Sequence, residues 1–431
     1  MPLPYDPTTN FKDSNGVDLG KKLITQDYVA TVYPSLSQSA AGFVASPAEL
    51  YISGSNGYGQ IGDNTTASRS TPRQEFTSAT NWKEISSRGD HTLAIKTDGT
   101  LWAWGSNGYG QVGDGSNTNR STPRQISIAA AGGLTGWKTV SSGQQTSLAI
   151  REDGTLWAWG RNLEGQIGDN TKTTRFTPRQ ISISAAGGVT GWKSCAASWY
   201  HAAAIRTDGT LWLWGYNYGG QLGDNSSTVS GLRSTPKQEF TSSTNWKQVS
   251  MSNDVTVAVK NDGTLWCWGL NSQGQVGDNS NVTGRSTPRQ ISAGASGVTG
   301  WKQVSGGSFH VVALRTDGTL FGWGRNLYGE LGDNTTPGGS VFRSTPKQEF
   351  TGSTNWKQVS AGNDITTAIK TDGTLWSWGR NDVGQLGDNT SGTTHRSTPR
   401  QISISGVGGV NGWRAVSGKN GVAAIKFPIG Q

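Results

Sequence analysis

The sequence predicts an all-β fold: a seven-bladed β-propeller of four-stranded antiparallel blades, its ring closed by pairing of N- and C-terminal strands, with a short irregular N-terminal arm. Three observations predict it. The string GQ(I/V/L)GD, or a near copy, places its aspartate at Asp63, Asp114, Asp169, Asp224, Asp278, Asp333 and Asp388, at spacings of 51 to 55 residues. A second marker, Trp followed by Lys or Arg, falls at Trp82, Trp137, Trp192, Trp246, Trp301, Trp356 and Trp413. Each unit is written in short alternating segments with explicit turns and contains no amphipathic helix. A repeat of that period, apolar or aromatic on both sheet faces, must bury sheet against sheet in a radial array.

Taken in order, residues 1–45 form an anchoring arm and linker, and residues 46–431 the propeller. The arm is too short and too polar for a core of its own, and Ser35 to Ala45 reads as a linker. Its apolar residues Leu23, Ile24, Tyr28, Val29, Val32 and Tyr33 fit neither helix nor strand period and are expected to order on a partner. The first repeat begins at Glu49 as ELYISG with no Asp-Gly before it, and the last ends in GVAAIKFPIG with none after it. The ring is therefore expected to close by pairing Ala423 to Lys426 with Leu50 to Ser53, which removes two open sheet edges.

Within a unit, WKEIS is the first strand, HTLAIK the second, TLWAWG the third and TPRQ with its neighbours the fourth. The Asp-Gly pairs at Asp98, Asp153, Asp208, Asp262, Asp317 and Asp372 join the second and third strands, as a tight hairpin prefers, with positive φ open to both residues. Alternation sends Trp102 and Trp104 one way and Leu101 and Ala103 the other. All tryptophans but Trp199 fall on such lattice positions and read as core. Cys195 stands where other units have Ile85 or Val140, and Cys267 where they have Ala103. Both read as small buried hydrophobes, two units apart, with no disulfide expected.

Composition excludes several classes. With 62 glycines, 19 tryptophans, 2 cysteines and 15% charged residues, the chain is neither a disulfide scaffold nor a collagen. No apolar run reaches the length of a transmembrane helix, so no membrane partner is expected. The N-terminus shows no secretory signal, which leads to the expectation of synthesis in a cytoplasm without export. The net charge of +8 raises a polyanion as partner. The basic residues, however, recur at fixed places, above all in the RxTP(R/K) string. Two readings stay open: Arg69 and its equivalents brace an irregular segment by bridging Asp63 and its equivalents, or a ring of cations holds a polyanion. The first is favoured. Nucleic acid is not expected, because no basic cluster with interleaved aromatics lies outside the lattice.

Positions that differ among near-identical units are those the scaffold does not dictate. The turn after the first strand and the segment after the third are both expected on one face, opposite the Asp-Gly turns. Together they carry Arg88, Asp90, Trp199, Tyr200, His201, Phe309, His310, Tyr58, Tyr109, Tyr218 and Tyr328, which are the candidate partner-binding residues; rigidly displayed aromatic and polar side chains suit recognition of sugars or proteins. Trp199 is the strongest single candidate. Arg88-Gly89-Asp90 spells an integrin-type tripeptide, but such triplets arise by chance. A third variable segment, between GD and RxTP, is expected at the periphery and is longest near Ser226 to Leu232 and Pro337 to Val341. The GxGxxG match at Gly57 to Gly62 lacks a following helix, so no dinucleotide cofactor is expected. His91, His201 and His310 are equivalent positions in alternate units, and packing explains them better than shared metal ligation. No catalytic constellation, cofactor site or metal site can be assembled.

The motifs GTLWAWGxNxxGQxGD, RSTPxQ, GWKxVSxG and LAI(R/K)xDG resemble the repeat of the regulator of chromosome condensation family over Glu49 to about Phe427. That resemblance implies a seven-bladed propeller acting as an interaction platform: the family's eukaryotic founder is an exchange factor for a small GTPase that docks on chromatin, and bacterial relatives inhibit enzymes or act as effectors. The near identity of the units resembles bacterial and bacteriophage versions, and DLGKKLITQDYVATVYP resembles leader segments of phage tail proteins. The expected role is therefore a non-enzymatic virion structural or adhesion protein of a bacteriophage tail or fibre. Its arm would dock to other virion or tail proteins, and one propeller face would be displayed for a host surface glycan or protein. The alternative is a cytoplasmic protein-binding propeller that regulates a GTPase or inhibits an enzyme. A glycan lyase ranks last for want of an acid and base.

Overall fold

A computed structural model of the chain describes residues 48–427, apart from 128–132, 134, 183–187, 227–230, 282–283, 293–298, 336–341, 404–410 and 419. The arm candidates Leu23, Ile24, Tyr28, Val29, Val32 and Tyr33 lie outside the described residues, as does most of the two longest peripheral segments.

Among the described residues every regular element is a strand, and the strands make seven four-stranded antiparallel sheets. In blade 1, Trp82–Ser86 pairs with His91–Lys96, which pairs with Leu101–Gly105, which pairs with Arg120–Gln125. Residues 137–180, 192–238, 246–291, 301–348 and 356–401 repeat the pattern as blades 2 to 6. Blade 7 combines residues 413–426 with residues 49–74.

Ring closure follows the expectation with one correction of register. The pairs are Glu49 with Lys426, Leu50 with Ile425, Tyr51 with Ala424 and Ile52 with Ala423, one residue earlier than Leu50 to Ser53. The expected register would set Leu50 opposite Lys426. Cross-strand partners share a face, so the observed register is the one that buries Leu50 and Ile425 together.

The first strand of every blade lines the axis, where serines stitch neighbouring blades: Ser86 Oγ lies 3.0 Å from Ser142 Oγ, Ser141 Oγ accepts from Ala197 N and Ser305 Oγ accepts from Ala361 N. The third strand supplies the seams. Trp104, Trp159, Trp214, Trp268, Trp323 and Trp378 are fully buried, and each indole N–H donates to the main-chain carbonyl of the Gln or Glu in the GQxGD string of the preceding blade, at 2.9–3.0 Å. The string needs its second glycine for this contact. Gly62 has φ of +80°, and a Cβ there would lie 2.6 Å from the Trp104 indole nitrogen. At the closing seam Ser53 replaces the indole, and its Oγ is buried without a hydrogen-bond partner.

The other tryptophan of the strand sits edge-on against the marker tryptophan, as Trp102 does on Trp82 at 6.2 Å and 82°. Trp102, Trp266 and Trp376 are only half-buried, with a lysine ammonium 4.2–4.4 Å over each ring. Cys267 is buried and Cys195 half-buried against the core.

The hairpin turn differs from the expected form. Only the glycine takes a positive φ, as Gly99 does at +76°. Asp98 instead accepts hydrogen bonds from the Thr100 N–H at 2.9 Å and hydroxyl at 2.6 Å. The aspartate is selected for its carboxylate, which closes the turn, and not for tolerance of left-handed backbone.

The Arg of RxTP contacts the Asp of GQxGD in all seven units at 2.5–3.1 Å. Each aspartate is almost fully buried and also accepts from a Ser or Thr hydroxyl two residues on and from the Asn seven residues before it, as Asp114 does from Ser116 and Asn107. The bracing reading thus describes the geometry of these arginines.

Candidate functional site: the turn face

Both non-repeating segments emerge on one face, because His91 pairs with Gly105 at the ends of adjacent strands and Ser106 N donates to Asp90 O at 2.7 Å. Gly105 makes this close approach possible: its φ is +102°, and a Cβ would meet Asp90 O at 2.6 Å.

At the centre of the face, side chains close the channel. Gln144 Nε2 and Asn420 Nδ2 donate to the Asp90 carboxylate, Asn363 Nδ2 donates to Asn420 Oδ1, and Ser308 Oγ donates to Asn363 Oδ1. This belt runs through blades 2, 1, 7, 6 and 5. Arg88 crosses the axis to donate to Met251 O at 2.7 Å and Ser250 Oγ at 3.3 Å in blade 4. Burial pushes its guanidinium pKa down to about 10, and about 20 Å³ remains free at the channel mouth, enough for one water. Arg88 and Asp90 therefore brace the channel through these bonds, and each remains partly exposed at its mouth.

His201 and His310, by contrast, are corrected as partner-contacting side chains. Both are completely buried, and each Nε2 lies 3.1 Å from a threonine hydroxyl of the next blade, Thr256 or Thr366. Burial pushes both pKa values down to about 3, with the Arg325 and Arg88 charges adding to it at His310. Neutral imidazoles here serve as seam hydrogen-bonding groups. His91, equally buried, meets Ser147 Oγ at 2.8 Å.

The aromatic candidates divide into three groups. Tyr58 and Tyr109 are exposed on blades 7 and 1. Phe309 and Tyr328 are half-buried in an ion-pair cluster of blades 5 and 6: Arg325 lies 4.5 Å over Phe309 and reaches Glu330 and Asp364, while Arg380 lies 5.0 Å over Tyr328 and reaches Asp364 and Asp382. Glu330 replaces the glutamine of other units. Its burial pushes the pKa up to about 7.

The third group is continuous. Trp199 stacks on Tyr200 at 5.3 Å and 14°, Tyr200 meets Tyr216 at 5.7 Å, and Tyr216 stacks on Tyr218 at 6.2 Å. Arg161 lies 5.7 Å over Tyr200 and 6.0 Å over Tyr109, held in place by a two-pronged pair with Glu164. The belt runs across blades 1 to 3 and overlooks a concavity of about 410 Å³ lined by Glu164, Tyr200, Tyr216, Tyr218, Asp254 and Leu270. Burial holds the Asp254 carboxyl above its ordinary value, and its charge in turn raises Tyr216 behind desolvation.

Sequence reading missed Tyr216, Arg161, Glu164 and Asp254. Their signal was available position by position: Tyr216 is the one aromatic where other units carry Ser, Arg or Leu. Among the described residues no group of three or more metal-ligating side chains converges.

Comparison with known proteins then identifies the family. The regulator of chromosome condensation (RCC1) repeat matches residues 98–150, 153–205, 208–259, 262–314, 317–369 and 372–423. The chain belongs to this family. It is 31% identical to the ultraviolet-B receptor UVR8 of Arabidopsis thaliana over 82% of this chain and 77% of the receptor. It is 27% identical to human E3 ubiquitin-protein ligase HERC2 over 68% of this chain and 6% of the ligase. Its fold matches the crystal structure of Prp20p from Saccharomyces cerevisiae with a TM-score of 0.76, at 21% identity, covering 90% of this chain and 93% of Prp20p; Prp20p itself has binding properties toward Gsp1p and histones.

These RCC1-repeat relatives correct the expected role. A bacteriophage tail or fibre protein, joined to virion proteins and to a host surface glycan and located in the virion, is not what the chain resembles; the sequence relatives named above are cellular proteins of plant and human. The composition misled for a physical reason. Glycines at positive φ and Ser, Thr and Asn around the buried aspartates are demands of the RCC1 lattice, so their abundance carries no information about compartment.

Proposed function

We propose that this RCC1-repeat protein is a regulatory binding module that engages a protein partner, a GTPase or an enzyme, through its turn face. One observation carries the reading: the repeated polar groups satisfy one another, whereas the ring stack Trp199–Tyr200–Tyr216–Tyr218 belongs to blade 3 alone and lies on the turn face. Aromatic and arginine side chains beside a concavity are the composition of binding hot spots. The regulatory character of the relatives supports the same reading. Chemistry is assigned to the partner. Glu330, whose burial pushes its pKa up to about 7, is fully buried under Arg325 and has no access to a substrate.

The test compares the wild type with a Trp199→Ala, Tyr218→Ala double variant and with Glu152→Ala on the opposite face. Each is used as bait in extract of the source cells, with nucleotide exchange assayed on any GTPase retained. The expected result is a partner lost from the double variant and kept by Glu152→Ala. A partner set identical for all three baits refutes the turn face as the regulatory surface.

A further inference from the structure

The concavity of blades 2 to 4 combines features that point to one chemical class of occupant. Three phenol rings, Tyr200, Tyr216 and Tyr218, form its wall together with the aliphatic side chain of Leu270. The carboxylate of Glu164 is already neutralised by Arg161. That of Asp254 is not: among the described residues it accepts no side-chain hydrogen bond and forms no ion pair, although its counterparts do. Asp90 in blade 1 accepts from Gln144 and Asn420, and Asp364 in blade 6 faces Arg325 and Arg380. A partly buried negative charge without a counter-ion, set among ring faces whose quadrupoles are themselves negative, is complementary to a cation that carries apolar surface.

We propose that this concavity receives a lysine ammonium, free or N-methylated, from a basic segment of the protein partner. The proposal rests on the regulatory reading above and adds the chemistry of the docking contact. The ammonium sits in the concavity against its phenol wall with Asp254 as counter-ion, and Leu270 packs against the methylene stem. The volume of about 410 Å³ exceeds that of one ammonium and accommodates the stem and flanking backbone. Guanidinium is disfavoured because Arg161 already occupies the neighbouring face of Tyr200 at 5.7 Å.

The test is calorimetric titration of the full chain with acetyl-Gly-Lys-Gly-amide, its trimethyllysine form, and the arginine and norleucine counterparts. The trimethyllysine peptide is expected to bind at least as tightly as lysine, and both at least tenfold more tightly than norleucine. Asp254→Asn and Tyr216→Leu should each weaken lysine-peptide binding by about tenfold, the scale of one desolvated cation–π or charge contact; Glu152→Ala on the opposite face should leave it unchanged. Near-UV circular dichroism confirms folding of each variant. Equal affinity for norleucine, tighter binding of arginine, or wild-type affinity in folded Asp254→Asn overturns the proposal. Lysine-peptide binding lost in Asp254→Asn while the cellular partner is fully retained overturns the docking role and leaves the regulatory reading standing. Peptide binding intact with no partner dependent on the turn face overturns the regulatory reading instead.

Discussion

Three buried groups set the acid response of the propeller in opposite directions. His201 and His310 have folded pKa values near 3, below the ordinary 6.5. As pH falls below 6.5 the unfolded chain takes up protons that the folded chain refuses, so stability falls. At about pH 4.5 the difference is about 2 pH units per histidine, or about 5 kcal/mol for the pair. Glu330 acts with the other sign. Its folded pKa near 7 exceeds the ordinary 4.5, so the folded state takes up its proton first and gains about 3 kcal/mol between about pH 7 and 4.5. These three groups together contribute a net loss of about 2 kcal/mol, to which Glu84 and Asp254, also raised by burial, add with the sign of Glu330. In His201→Gln, His310→Gln the sign reverses, and stability should rise by about 3 kcal/mol over the same interval. In Glu330→Gln, which restores the residue of the other units, the loss should steepen to about 5 kcal/mol. Urea unfolding followed by tryptophan fluorescence at the two pH values measures each. Parallel pH dependence of the wild type and the histidine variant would falsify the assignment of neutral buried imidazoles.

Four further outcomes are expected. Below about pH 3.8 the thirteen lattice aspartates, all held below their ordinary pKa by hydroxyl hydrogen bonds and neighbouring cations against the opposing effect of burial, lose that stabilisation as they protonate; acid unfolding should be steep there, and high salt should not reproduce it at neutral pH. Trp214→Ala, which empties a fully buried seam, should cost about 3–5 kcal/mol, whereas Trp199→Ala should leave the melting temperature nearly unchanged; equal losses by calorimetry contradict the seam geometry. Glu239 accepts the Trp246 indole N–H at 3.2 Å beside Lys260, while three of the four units with Ile in its place carry Arg over the ring, Lys426 on Trp413 being the exception. Glu239→Ile and Lys260→Arg should therefore be coupled by about 0.5–3 kcal/mol in a double-mutant cycle, and additivity would dismiss the pairing. Ser53→Trp should raise the melting temperature by supplying the indole that the closing seam lacks; a drop would mean the seam has closed around Pro72.

How much was legible in the sequence depends on whether a residue answers to its own unit or to a neighbour. The blade count, the strand order, the closing strands and the shared face of the two variable segments follow from period and alternation, because those are properties of a strand and its covalent turn. The function class did not follow from them. The lattice imposes Gly, Asn and Thr wherever it occurs, and only comparison with relatives overturned the expectation of a virion protein. At the level of single residues the divide is sharper. Nothing local distinguishes His201 from Tyr200, yet strand alternation turns the first into a seam against Thr256 and the second outward onto Tyr216. Arg88 reads as a surface charge until the ring places Met251 across the axis from it. Asp254 is one turn residue among seven until the ring brings three phenols of blade 3 to its side and, among the described residues, no cation. The sequence alone determined the repeated unit, since each repeat satisfies its own turns and braces; the tertiary structure alone decided the site, since burial and counter-charge arise between blades that the chain separates by tens of residues.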